Sequence, residues 1–274
     1  MSWSTWHPAP AVLAGAVLAL LLFANAFARL RRRGRDDHAP WSRVALFALA
    51  LGVGTVPLVS PLDELGDSYL LSGHMLQHVL IGDGAPALAL VALRGPLLFF
   101  LIPTVFLRRV ARLDRLRRAL ALLLRARVSL AVWMLVLAAW HVPAAYDFAL
   151  AHEPVHDLEH VSFIAVGLLA WTQLVDPARR NSLRERIGCM IAMGAFALVL
   201  GTALMATAPL YPAYADQTTR LFALSAARDQ QLAGLVMIGE QLAALGLCAW
   251  FLLPARLGRA KTVLTERPLF TQPI

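Results

Sequence analysis

Seven stretches of about twenty predominantly apolar residues recur along the chain, and a helix of that length crosses the roughly 30 Å hydrocarbon core of a bilayer. They lie at about 9–29, 41–60, 69–93, 128–148, 157–175, 187–207 and 230–253. Within hydrocarbon every backbone N–H and C=O must find its partner inside the protein, and uninterrupted runs of this length do so as helices. The fold class expected is therefore all-α, a polytopic membrane helix bundle with about seven transmembrane helices. The runs are spread along the whole chain, so a single membrane domain over 1–254 is expected, followed by a short tail at 255–274. A further apolar run, Leu97 to Leu107, is short, holds Pro103 and abuts Arg108 and Arg109, which reads as an interfacial or re-entrant segment.

Composition agrees, with 59% of residues hydrophobic and 15% charged, far from the balance of a soluble domain. The formal charge of +8 is carried in short arginine clusters between apolar runs, with no nucleic-acid motif and no basic surface interleaved with aromatics. The clusters read instead as topology signals, because basic loops stay in the cytoplasm. Arg29, Arg31, Arg32, Arg33 and Arg35 follow the first run, and the arginines from Arg108 to Arg127 precede the fourth. Arg179, Arg180, Arg184 and Arg186 follow the fifth, and Arg256, Arg259 and Lys261 follow the seventh. Seven spans put all of these on one side, giving an outside N-terminus and a cytoplasmic C-terminus in a bacterial inner membrane. The opposite connections are acidic, with Asp63, Glu64 and Asp67 before the third span and Asp147, Glu153 and Asp157 between the fourth and fifth. Residues 1–8 carry no basic region ahead of the first apolar run, so that run reads as a retained span and not a cleaved signal. The leucine–arginine alternation from Arg108 to Arg127 fits an amphipathic helix on an anionic leaflet.

The two cysteines, Cys189 and Cys248, sit singly in apolar runs, which argues against a thiolate site or a disulfide framework. Histidine is the informative residue. His74 and His78 stand four apart in Gly73-His74-Met75-Leu76-Gln77-His78, and His156 and His160 repeat the spacing at the start of the fifth span. On a helix, i and i+4 share a face about 6 Å apart along the axis, a spacing from which two imidazoles can ligate one ion. His141, in Trp140-His141-Val142-Pro143, falls near the same end of the fourth span. Five imidazoles from three helices at one depth form a candidate metal site, since ionisable groups in a span are expensive and usually mark function. An interhelical hydrogen-bond network or a proton-linked cluster is the alternative. Imidazole suits copper and zinc, and histidines from two helices can hold haem iron, so ligand type leaves the metal open.

Met75 adjoins His74 but points about 100° away on an ideal helix, which counts against a thioether ligand there. Asp83, nine residues beyond His74, falls on the opposite face of a straight helix. Asp229 and Glu240 share a face of the last span, beside Gln230, Met237 and Gln241, and would line a polar path or brace the bundle. Asp157 and Glu159 are candidates to orient the imidazoles. His7 and His152 are expected on the outer side, with His7 outside the site. The segment Ala208-Pro209-Leu210-Tyr211-Pro212-Ala213-Tyr214 reads either as an interfacial aromatic belt or as a docking surface.

These residues carry a resemblance. Gly73-His74-Met75-Leu76-Gln77-His78 followed by Ala85-Pro86 forms one block; Trp140-His141-Val142-Pro143-Ala144-Ala145-Tyr146-Asp147 followed by His156-Asp157-Leu158-Glu159-His160 forms a second. Pro209-Leu210-Tyr211-Pro212-Ala213-Tyr214 with the stretch Asp229-Gln230-Gln231-Leu232-Ala233-Gly234-Leu235-Val236-Met237 forms a third. Over about 70–240 the chain resembles the CtaG family of seven-helix cytochrome c oxidase assembly factors associated with caa-type oxidases. The resemblance implies a non-catalytic role in maturing a haem-copper oxidase, with the oxidase subunits as partners and copper as the expected metal on His74, His78, His141, His156 and His160. Zinc, iron and haem stay open. A haem- or dinuclear-metal redox enzyme is the second expectation, and a metal or proton transporter the third. An unrelated single-span copper chaperone shares the family's name and works through a cysteine pair, which this sequence lacks.

Overall fold

The computed structural model describes residues 6–175 and 181–265. Arg179 and Arg180, and the tail from 266 onward, lie outside the described residues. Among the described residues the regular structure is all helical, with no strand. Six helices are long and apolar enough to cross a membrane, and a seventh span is counted if a bent pair is taken as one. This is the architecture of a multi-pass membrane protein.

In chain order, α1 is Pro10–Arg31, α2 is Trp41–Thr55 and the short α3 is Pro61–Ser68. Next, α4 (Leu71–Val79), a π-helical turn at Leu80–Gly84 and α5 (Ala85–Ala92) make one continuous span. Two short helices, α6 (Pro96–Leu101) and α7 (Thr104–Ala111), form the run expected as an interfacial or re-entrant segment and part at Pro103, whose ring cannot continue a helix. The amphipathic α8 (Asp114–Leu123) meets α9 (Ala126–Trp140) at a bend of 78°. The expected span 128–148 is divided: α9 stops at Trp140, and α10 (Pro143–Ala151) starts afresh, because Pro143 disfavours helical backbone at Val142. Helix α11 (Glu153–Val175) carries the second histidine pair, and α12 (Leu183–Ala206) opens with a capping box between Ser182 and Glu185. A single turn, α13 (Pro212–Ala215), precedes α14 (Ala226–Thr265).

The surface is apolar where a soluble protein's would be polar: Leu18, Leu135, Val199 and Trp250 are all more than half exposed. In a bilayer these are lipid contacts, and helix association then rests on close packing. Gly201 and Gly234 supply it between α12 and α14, where a Cβ on Gly201 would stand 2.8 Å from the Gly234 carbonyl oxygen. Gly167 of α11 lies against the π turn, and a Cβ there would overlap the Gly82 carbonyl oxygen.

The connections that carry α3, α10 and α13 gather at one end of the bundle, tied together by hydrogen bonds from Gln217 to the Ser68 carbonyl and from Tyr211 to the His141 carbonyl. Arginines mark the other end, where Arg43 reaches the carbonyls of Ala92 and Arg94, and Arg186 reaches that of Leu174.

Candidate metal centre

The first turn of α4 is held by a residue far away in sequence. Asp229 of α14 accepts from the Leu71 N–H at 2.7 Å, the Ser72 N–H at 3.0 Å and the Ser72 hydroxyl at 2.5 Å. It thereby satisfies backbone donors that a helix start leaves unpaired. Asp229 is thus a brace for α4 and takes no place at the histidines. With α4 anchored, His74 and His78 both face the interior, at 0% and 5% exposure.

Four imidazoles converge there. His74 Nε2 stands 2.8 Å from His78 Nε2 and 3.4 Å from His156 Nε2. Each of His74, His78, His156 and His160 offers one ring nitrogen, and the four nitrogens lie within 4.8 Å of one another. For comparison, a tetrahedral ion with metal–nitrogen bonds of about 2.0–2.1 Å holds its ligand atoms about 3.3 Å apart.

Polar groups stand behind the outward nitrogens of His74 and His156. Tyr214 donates to the Gly66 carbonyl at 2.8 Å, so its oxygen is left to accept from His74 Nδ1 at 3.1 Å. One oxygen of Asp67 lies 3.2 Å from the same Nδ1, and its other oxygen lies 3.7 Å from His156 Nδ1. With Nδ1 protonated, His74 turns the lone pair of Nε2 toward the other rings, the arrangement that metal-bound histidines take from a carboxylate behind them. Burial works to raise the Asp67 pKa, but the hydrogen bond from His74 and the charges of His74, His156 and His160 hold it below its ordinary value. The close approach of α3 needs Gly66, where a Cβ would meet His74 Cα at 2.9 Å and His74 N at 3.0 Å.

On the far side of the cluster, Glu159 is 1% exposed with Oε1 3.9 Å from His78 Nδ1, too far for a hydrogen bond. Glu159 Oε1, His78 Nδ1 and His160 Nε2 are all buried without a hydrogen-bond partner. Native interiors leave few such atoms, so these three mark a concentration of buried polar groups at the cluster residues.

The other expected residues separate. His141 is outside the group of four: its Nδ1 bonds the Leu137 carbonyl of its own helix at 2.7 Å, and its Nε2 is buried and unpartnered. Asp157 is exposed and outside the group of four; with His160 it lines a lateral groove of about 500 Å³ beside α1, α2 and α5. Asp83, expected opposite the His74–His78 pair on a straight helix, lies outside the group of four. The π turn at Leu80–Gly84 delays the rotation, and Asp83 comes round to line the same small cavity as His78, accepting a 2.7 Å hydrogen bond from Trp171. Glu240 is half-buried, with Oε2 unpartnered. His7 pairs with Asp63 at 3.0 Å, and His152 is exposed and stacks on Phe148.

Asp67, Tyr214 and Gly66 were not among the expected site residues. The tyrosine-rich segment turns its rings inward, Tyr211 and Tyr214 being 1% and 3% exposed and packed on Tyr146, while Pro209, Pro212 and Ala213 stay exposed. Arg220 holds it in place by donating to the carbonyls of Tyr214 and Ala215.

Fold and site together define a multi-pass membrane protein with a buried four-histidine cluster near one end of its bundle. The sequence profile of the cytochrome c oxidase caa3 assembly factor family (Caa3_CtaG) matches residues 21–256, and the chain belongs to that family. Comparisons with curated proteins and with solved structures give no match.

Proposed function

We propose that this chain helps to mature a haem-copper oxidase by holding a metal ion, copper first among the candidates, on His74, His78, His156 and His160. The observation that carries the reading is the convergence of four ring nitrogens within 4.8 Å, backed by Asp67 and Tyr214. Four neutral nitrogen donors suit copper and zinc, and the oxidase family supports copper. A bare ion is favoured over haem because the rings touch one another directly, with centroids of His74 and His78 4.2 Å apart and those of His156 and His160 also 4.2 Å apart. That packing leaves no slot for a flat macrocycle.

The arginine clusters at 29–35, 108–127 and 179–186 support a cytoplasmic location for the opposite end of the bundle. The cluster then faces the outer side of a bacterial inner membrane, where oxidase subunits would meet α3, α10 and the tyrosine segment. Residues 1–254 would act as one membrane domain, and no catalytic step is assigned to it.

The test compares wild type with a His74→Ala/His156→Ala variant, by elemental analysis of purified protein and by the copper content of the oxidase in host membranes. Stoichiometric copper that is lost in the variant, with a copper-deficient oxidase, is the expected result. A folded wild type that stays metal-free after incubation with Cu(I) and Cu(II) overturns the metal assignment.

A further inference from the structure

A second set of donors lies beside the four-histidine cluster and shares one wall with it. The cavity has a volume of about 30 Å³, room for one small species, and is lined by Met75, His78, Asp83, His141 and Met237 among others. Met75 and Met237 are 1% and 7% exposed, so their thioethers face protein and not lipid. His141 turns its Nδ1 into its own helix, leaving a buried Nε2 with no partner. His78, 5% exposed, meets His74 through Nε2 and keeps a buried, unpartnered Nδ1. Two methionines and two histidines that each keep a buried, unpaired ring nitrogen line one small space, whose carboxylate, Asp83, is engaged by Trp171; thioether and imidazole donors together suit a monovalent soft cation. An apolar void would not leave imidazole nitrogens unpaired, since burying a polar atom without a partner costs about 1–3 kcal/mol.

We infer that this cavity is a second metal position, taking Cu(I) on His141 and the thioethers of Met75 and Met237, adjacent to the four-histidine cluster through His78. It extends the reading of that cluster but rests on it only through the shared wall at His78.

X-ray absorption on the purified full-length protein, loaded anaerobically with Cu(I), tests it. Wild type is expected to bind two equivalents and to show a sulfur shell around part of the copper. The Met75→Leu/Met237→Leu variant, close to volume-conserving, is expected to bind one equivalent with nitrogen scattering alone. Selenomethionine-labelled wild type gives the same information without any substitution, as a copper neighbour at the selenium edge. Nitrogen-only scattering with equal stoichiometry in both proteins means that the cavity holds water, and overturns the inference while leaving the four-histidine reading intact. A sulfur shell that persists in the double variant also overturns it, by moving the soft site elsewhere. In a His74→Ala/His156→Ala background, sulfur-ligated copper is expected to remain, and its survival separates this site from the other.

Discussion

The carboxylate of Asp229 accepts the backbone N–H of Leu71 at 2.7 Å, joining the first turn of α14 to the first turn of the helix that presents His74 and His78. Replacing Asp229 by Ala removes three hydrogen bonds from one helix start and leaves the Leu71 donor without a partner. A loss of about 2 kcal/mol is expected, measured by thermal or denaturant unfolding in detergent. An unchanged midpoint would mean that water or Ser72 replaces the cap.

Asp67→Asn keeps the shape behind His74 and His156 but removes the charge. Metal affinity is expected to fall about 10–100-fold, measured by competition with a chromophoric chelator. The folded pKa of Asp67 lies below its unfolded value, so its contribution is present above the unfolded pKa and is lost only as pH falls through the lower, folded one. Metal release between pH 7 and pH 5 should therefore follow protonation of the imidazoles, and the ratio of wild-type to variant affinity should stay constant over that range. A ratio that collapses toward unity by pH 5 contradicts this account.

Tyr214→Phe breaks the link from the Gly66 carbonyl through the hydroxyl to His74 Nδ1. The expected cost is about 1–3 kcal/mol in stability, with a smaller loss of metal affinity than for Asp67→Asn, since the carboxylate still holds His74. The two affinities measured side by side check the order.

Gly66→Ala would push α3 away from α4, because the neighbour it meets is the His74 backbone and no side chain there can yield. Metal binding should fall sharply in a protein that still folds. Gly239→Ala, where nothing lies within 4 Å of the added Cβ, serves as the control and should be neutral or stabilising by about 0.5–1 kcal/mol.

The spans and the two histidine pairs were legible in the sequence because both are local: apolar length and i,i+4 spacing need no knowledge of neighbours. The division of the fourth span was readable in principle from Pro143, but apolar continuity across Val142 concealed it. Asp67 and Tyr214 were not legible, since their roles depend on α3 folding back over α4 and on a loop 140 residues from His74 tucking inward. His141 shares the depth of the other imidazoles but not their direction, and depth was all that topology could supply. Asp83 stands outside the group of four, but its partner Trp171 and the π turn that sets its direction were not legible, since a uniform 100° per residue does not hold across that turn.

That widened turn at Leu80–Gly84 divides one membrane span into two azimuthal frames. Above it the helix presents its histidines by one phase, and below it Ala85–Ala92 meets its neighbours by another, the offset being set by the turn between them. The upper half packs chiefly on α3 and α14 and the lower half chiefly on α2 and α11, so the turn lets one span satisfy two sets of neighbours whose phases a uniform α-helix would tie to 100° per residue.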